Sequence, residues 1–257
     1  KLLSLHSMRN KRNIDICLTP FMIDLFDLSN KQVIIIDVFR ATSAMCVFLN
    51  NGGKEVIPVS TIEAAEKYKN KMHSFNKLQC LVAAERNGSI VPGFDLGNSP
   101  LLYHEKKFKD MSLVITTTNG TLAINKSKHA GSGMLLASFL NASAVVDYVC
   151  RDNESDILIV CSGWKGRFCV EDILLAGYLS QNILLNDTFF YNSDSIFLAQ
   201  ELYASAKSDL FGFLSNSSYR KRMNLDEDVK YCLQRDIMNI VPVWFKNSSY
   251  GGFHVSE

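Results

Sequence analysis

Short, continuous apolar runs alternate with longer amphipathic ones along most of the chain. Val33–Asp37, Glu55–Val59, Cys80–Ala84, Leu113–Thr117, Met134–Ala137 and Ile157–Cys161 are brief and apolar, which predicts strands. Between them, helical spacing predicts helices at about Thr42–Leu49, Thr61–Asn70 (with Thr61 as its cap), from Thr121 onward, Asn141–Cys150 and Val170–Leu185. Strands that are apolar throughout belong to a sheet covered on both faces. The expected fold is therefore α/β: three layers, a largely buried sheet with helices on both faces, and room for two similar lobes. Gly131-Ser132-Gly133 breaks the chain and marks a lobe boundary near 130–135. After Asp187 the pattern turns helical, over Ser193–Phe213 and Leu225–Gln234, before a last strand at Val241–Phe245. Residues 1–13 (KLLSLHSMRNKRN) are basic and lack the apolar stretch of a secretory signal. They read as a flexible leader, with 14–257 as one α/β domain.

Composition changes this picture little. Of the 257 residues, 47% are hydrophobic and 21% charged, the balance of an ordinary soluble protein. The net charge of +1 gives no reason to expect nucleic acid or a membrane surface as partner. No apolar run is long enough for a transmembrane helix. The seven cysteines are scattered without zinc-type spacing and read as free thiols of a reducing, cytoplasmic setting.

Polar residues gather just after the strands, where ligands of such sheets collect. Asp37-Val38-Phe39-Arg40-Ala41-Thr42-Ser43 sets a carboxylate, a forked cation and two hydroxyls at a helix start, a place suited to an anion. The plainer reading is a cap by Thr42 or Ser43 and an Asp37–Arg40 pair. Glu85-Arg86-Asn87-Gly88 follows the next strand, and by itself is turn material. Pro92–Pro100, with Asp95, Asn98 and Ser99, is a loop pinned by two prolines, either to position side chains or simply to connect. Thr116–Thr121 places Thr117, Thr118, Asn119 and Gly120 where backbone N–H groups can form a nest for phosphate oxygens. No Walker loop occurs, so nucleoside triphosphates are not indicated. Ser162, Gly163, Lys165 and Arg167 follow Cys161, and Glu171 and Asp172 open the next helix. The two acids suit a hard metal or acid–base chemistry, or merely the helix dipole. Together these loops hold what a phosphate and a magnesium ion need.

The same segments resemble one family, the 2-phosphosulfolactate phosphatases. The matching stretches are IDVFRATS (Ile36–Ser43), AAERN (Ala83–Asn87), PGFDLGNSP (Pro92–Pro100), TTTNGT (Thr116–Thr121), SFLNAS (Ser138–Ser143) and IVCSGWKGRFCVED (Ile159–Asp172). EDVKYCLQRD (Glu227–Asp236) and Val241-Pro242-Val243 continue the match, which runs in order from about residue 14 to 244. The resemblance implies magnesium-dependent hydrolysis of 2-phosphosulfolactate to sulfolactate and orthophosphate, a step that serves coenzyme M synthesis in methanogens. The stretch between Asp187 and Arg222 is the least family-like, and is expected to shape the oligomer or the substrate rim; a homo-oligomer fits this reading.

On that implied chemistry, Asp37, Asp95, Glu171 and Asp172 are the metal candidates and Glu85 a candidate base. Arg40, Arg86, Lys165 and Arg167 share the substrate's negative charge. Asp37, Arg40, Glu85, Arg167 and Glu171 form the expected catalytic group. Thr42, Ser43, Asn98, Ser99, Thr117, Thr118, Asn119, Gly120, Ser162 and Gly163 are expected to contact substrate. Two other phosphatase signatures are weighed. The aspartyl-nucleophile pattern DxDx[TV] fails because Phe39 occupies its second acid position. Cys161–Arg167 fits C-x5-R, which offers a thiolate route to another small phospho-acid. A non-catalytic sensor of a phosphorylated acid is the alternative outside enzymology.

Overall fold

The computed structural model describes residues 11–74, 80–86, 88–151, 154–246 and 251–256. Its elements run β1 (Arg12–Cys17), β2 (Lys31–Ile36), α1 (Ala41–Asn50), β3 (Glu55–Pro58), α2 (Ile62–Ser74), β4 (Cys80–Arg86), β5 (Ser89–Ile90) and α3 (Leu101–His104). Next come β6 (Ser112–Thr116), α4 (Gly120–Lys126), β7 (Met134–Ala137), α5 (Ala142–Arg151), β8 (Asp156–Cys161), α6 (Val170–Ile183) and β9 (Phe189–Phe190). The chain closes with α7 (Asp194–Ala206), α8 (Leu210–Phe213), α9 (Ser218–Arg222), α10 (Asp226–Cys232), β10 (Pro242–Phe245) and β11 (Gly252–Val255). Local chemistry sets several boundaries. The Thr61 hydroxyl accepts the Ala64 N–H at 3.1 Å and so caps α2. Gly52, at φ +91°, takes a left-handed turn just after α1, which side chains other than glycine resist.

The strands form one eleven-stranded sheet in the order β5-β4-β6-β3-β11-β10-β7-β2-β8-β1-β9. Two parallel sections, β4-β6-β3 and β7-β2-β8-β1-β9, flank the antiparallel β10–β11 hairpin. β2 is central to the second section: Ile34 stands opposite Leu135 of β7 and Ile159 of β8. Its apolar run is explained by what covers each face. Val33 and Ile35 join a core with α1, and Ile34 and Ile36 join a second core with α5, α6 and α7. Each of these side chains is fully buried and contributes about 1.5–3 kcal/mol. α1 is buried from Ala41 to Leu49, and its core draws on strands of both sections. The expected α/β sheet with helices on both faces is present.

Two expectations are refined. Arg12 and Asn13, read as leader, open β1 instead. The Arg12 guanidinium donates to the Val149 carbonyl at 3.1 Å and lies over the Phe189 ring at 3.8 Å. Residues 1–10 lie outside the described residues. The break at Gly131-Ser132-Gly133 does not cut the sheet in two, because β1 and β2 before it pair with β7 and β8 after it. Among the described residues no helix is long and apolar enough to cross a membrane.

Candidate active site

A cavity of about 470 Å³ opens where β2, β4, β6 and β8 end, and Asp37 stands in its wall. Asp37 follows β2, buried from Gln32 to Ile36 and paired on both edges, so the backbone beneath it is held from both sides. Backbone N–H groups of Ala41, Gly120 and Arg40 donate to its carboxylate, yet burial outweighs them and pushes its pKa up to about 6. Gly120 permits the approach: a Cβ there would sit 2.9 Å from Asp37 Oδ2 and 3.0 Å from Thr117 Oγ1. The carboxylate thus occupies the start of α1 that was expected to receive an anion. Thr42 and Ser43, expected to contact substrate, are turned away: their hydroxyls donate to the carbonyls of Asp37 and Val38, each at 2.9 Å. They fix the turn that delivers Asp37.

Glu171 and Asp172 come from the first turn of α6 and are each 3% exposed, too buried for a surface device addressed to the helix dipole. Burial, followed by the charge of Asp37, raises Asp172 well above the usual carboxylate range. Its two oxygens accept N–H groups from separate loops, Val38 at 3.0 Å and Gly163 at 2.9 Å. Glu171 is lifted to about 7, mainly by burial, with Asp37 adding to the rise and Arg222 opposing it. All three acids line the cavity.

The loop after β8 is a tight turn in which Trp164 and Arg167 exchange backbone hydrogen bonds of 2.8 and 3.0 Å. Gly163, at φ +57°, makes room for it, since a Cβ would fall 2.2 Å from the Arg167 carbonyl. Lys165 lines the cavity, and its N–H donates to Asn119 Oδ1 at 3.2 Å, joining the β8 loop to the β6 loop. Thr117, Thr118 and Asn119 line the same wall. The Arg167 side chain is exposed and does not line the cavity, so only its backbone supports the site. Ser162 is buried outside the cavity wall, and its hydroxyl has no hydrogen-bond partner among the described residues.

Arg40 lines the cavity and is paired on its inner side. Its guanidinium, 5% exposed, is held between Glu85 and Asp228, and the Ser99 hydroxyl donates to Asp228 as well. Glu85 also accepts the Asn98 N–H at 3.3 Å. Arg40, Glu85, Arg86 and Asn98 line the cavity. Ser99 faces an adjoining pocket of about 590 Å³, which Arg40 and Glu85 also line. Asp95 does not enter either pocket: it accepts the Val82 N–H at 2.9 Å and pairs with Lys69 at 3.4 Å. It leaves the metal set on that ground.

The Cys161 thiol is buried at the end of β8 in the core beneath α6, and burial raises its pKa well above the usual value. It does not reach the cavity, and Arg167 is exposed, so the thiolate arrangement is not assembled. Among the described residues no group of three or more His, Cys, Asp or Glu side chains is placed so that it could hold a metal ion. Asp37, Glu171 and Asp172 bring hard carboxylate oxygens to one cavity wall, the donor type that a hard cation prefers.

Sequence reasoning missed Trp164, Tyr219, Arg222 and Met223 in the cavity wall, and Asp228 behind Arg40. Only Asp228 left a readable signal. With Leu225, Val229 and Cys232 it falls on one stripe of α10, so an acid sits where an apolar residue is expected.

A sheet that brings acids, cations and amides together at its carboxyl edge defines an α/β protein built to hold a small anion. Residues 17–247 match the model of the family described as 2-phosphosulpholactate phosphatase. A protein of Caldanaerobacter subterraneus named probable 2-phosphosulfolactate phosphatase is 40% identical over 220 residues, 84% of this chain and 88% of that protein. A protein of the same name from Thermotoga petrophila is 39% identical over 82% of this chain and 88% of its own length. One from Clostridium novyi is 35% identical over 89% and 95%. The chain belongs to the 2-phosphosulfolactate phosphatase family, a family of phosphoric monoester hydrolases.

Proposed function

We propose that the protein hydrolyses 2-phosphosulfolactate to sulfolactate and orthophosphate with the help of magnesium. The observation that carries this reading is the corner formed by Asp37, Glu171 and Asp172. The three acids line one cavity, Glu171 and Asp172 buried and Asp37 half-buried, and none is ion-paired to a lysine or arginine among the described residues. Asp37, Glu171 and Asp172 would hold the ion. Bound there, magnesium would neutralise phosphate oxygens and acidify a water.

The remaining work falls to the chain. Thr117, Thr118 and Asn119 offer hydroxyl and amide donors to the phosphoryl oxygens. Arg86 and Lys165, both in the cavity wall, take the substrate's other negative charge. Glu85 and Asp228 fix Arg40 so that it stays in the wall. In the reaction the ester P–O bond breaks, a water oxygen bonds to phosphorus, one water proton is taken up by a base, and the departing alkoxide is protonated. Seven free cysteines fit the reducing cytoplasm as its setting.

The test is phosphate release from 2-phosphosulfolactate, 2-phospholactate and a neutral alkyl phosphate. The expected order of kcat/KM follows the number of negative groups on the substrate. Equal values for the three would remove the reason for placing the cations on the substrate.

A further inference from the structure

We infer that Arg222 is the specificity residue for the substrate's second acid group, held for that purpose on the indole of Trp164. The inference rests on the proposed phosphatase reading and deepens it. Two arginines stand two places apart on α9 and are used differently. Arg220 is spent within the helical segment: it pairs with Asp226 at 3.0 Å, donates to the Phe211 carbonyl at 3.4 Å and lies over the Phe211 ring. Arg222 lines the active-site cavity, with its guanidinium carbon 3.7 Å from the centre of the Trp164 ring. Among the described residues no carboxylate lies within ion-pair distance of it.

Stacking engages the flat face of a guanidinium and leaves its N–H edge free. That edge can donate two parallel hydrogen bonds to a carboxylate or sulfonate. Trp164 also fixes the orientation, so little side-chain freedom is lost when the anion arrives. The position suits the second acid group rather than the phosphoryl group. Trp164 belongs to the turn after β8, and Met223, next to Arg222, approaches Gly88 beyond β4. Arg222 therefore stands between those two loops, where its charge also reaches Glu171 of α6, while Asp37 follows β2 at the start of α1. The ligand class is a phosphate ester that carries a further anionic group a few bonds from the ester oxygen.

Phosphate release from 2-phosphosulfolactate and from ethyl phosphate tests this in the wild type, Arg222→Met and Lys221→Met. Lys221 is an exposed cation next in sequence that does not line the cavity. The ratio of kcat/KM for the two substrates is expected to fall about ten- to a hundredfold in Arg222→Met, the scale of a lost charge-assisted hydrogen bond, and to hold in Lys221→Met. An unchanged ratio in Arg222→Met, or an equal fall in Lys221→Met, overturns the assignment. If Arg222→Met does not fold, Trp164→Leu removes the platform and must lower the same ratio. If the wild type releases no phosphate from 2-phosphosulfolactate, the function reading fails on its own. Arg222 is then judged by the same ratio measured as Kd by calorimetry.

Discussion

Two groups of acids, buried or half-buried, stand in and behind the cavity wall, and they differ in what faces them. Glu85 and Asp228 share the guanidinium of Arg40, and their charges are met within the chain. Asp37, Glu171 and Asp172 have backbone N–H groups and one another, and burial raises all three above the ordinary carboxylate range. A buried acid with its own arginine is finished structure: the pair resists change and holds loops in place. On the proposed reading, the acids without one are met by a cation–phosphate complex. On that reading, Glu85 and Asp228 shape the site and Asp37, Glu171 and Asp172 operate it.

The largest effect is expected where the chain leaves charge unmet. Asp37→Asn keeps the size of the side chain and removes its charge, so the fold should survive while kcat falls by at least about a hundredfold. Circular dichroism beside a phosphate-release assay checks both halves. A folded variant with near-normal kcat would move Asp37 into the structural group. Asp228→Ala breaks the other group: it strands Arg40, 5% exposed, without one of its two partners. It should lower the free energy of unfolding by about 3–5 kcal/mol in a denaturant titration. A loss under about 1 kcal/mol would mean that Arg40 finds its charge partner elsewhere.

Smaller effects are expected where an acid or thiol lies outside both groups. Cys161→Ser puts a hydroxyl into an apolar core and should cost about 1–3 kcal/mol of stability with kcat changed less than about tenfold. Loss of a nucleophile would instead cost kcat about a millionfold, so kinetics alone decide the thiolate question. Asp95→Asn removes only a partly exposed pair with Lys69. Its effect on stability should stay within about 1 kcal/mol, with magnesium dependence unaltered. A shifted magnesium requirement would bring Asp95 back among the ligands.

The frame was legible because its strands are covered on both faces. β2, β6 and β8 read as unbroken apolar runs and could hardly have been anything else. The edge strands β5 and β9 are two residues each, too short to show a period. The hairpin was half visible: Val241–Phe245 reads as a strand and Pro242–Phe245 forms one, but Gly252–Val255 opens on glycine and shows its purpose only against Val56 of β3. In the site, residues that follow strands were found because strand ends are where such sheets bind. Tyr219, Arg222 and Asp228 come from the helical stretch after Asp187, where no strand points to them. Side-chain direction was the other blind spot. Thr42, Ser43 and Arg167 have the right chemistry in the right loops, but hydrogen bonding or exposure takes their side chains out of the cavity.

Magnesium dependence tests the central contrast most directly. Phosphate release from 2-phosphosulfolactate is measured in excess chelator and again after magnesium is restored. The account predicts that turnover stops in chelator, returns with magnesium in the wild type, and does not return in folded Asp37→Asn. Full turnover in excess chelator would contradict it, because the acids left without a partner would then be working without a cation.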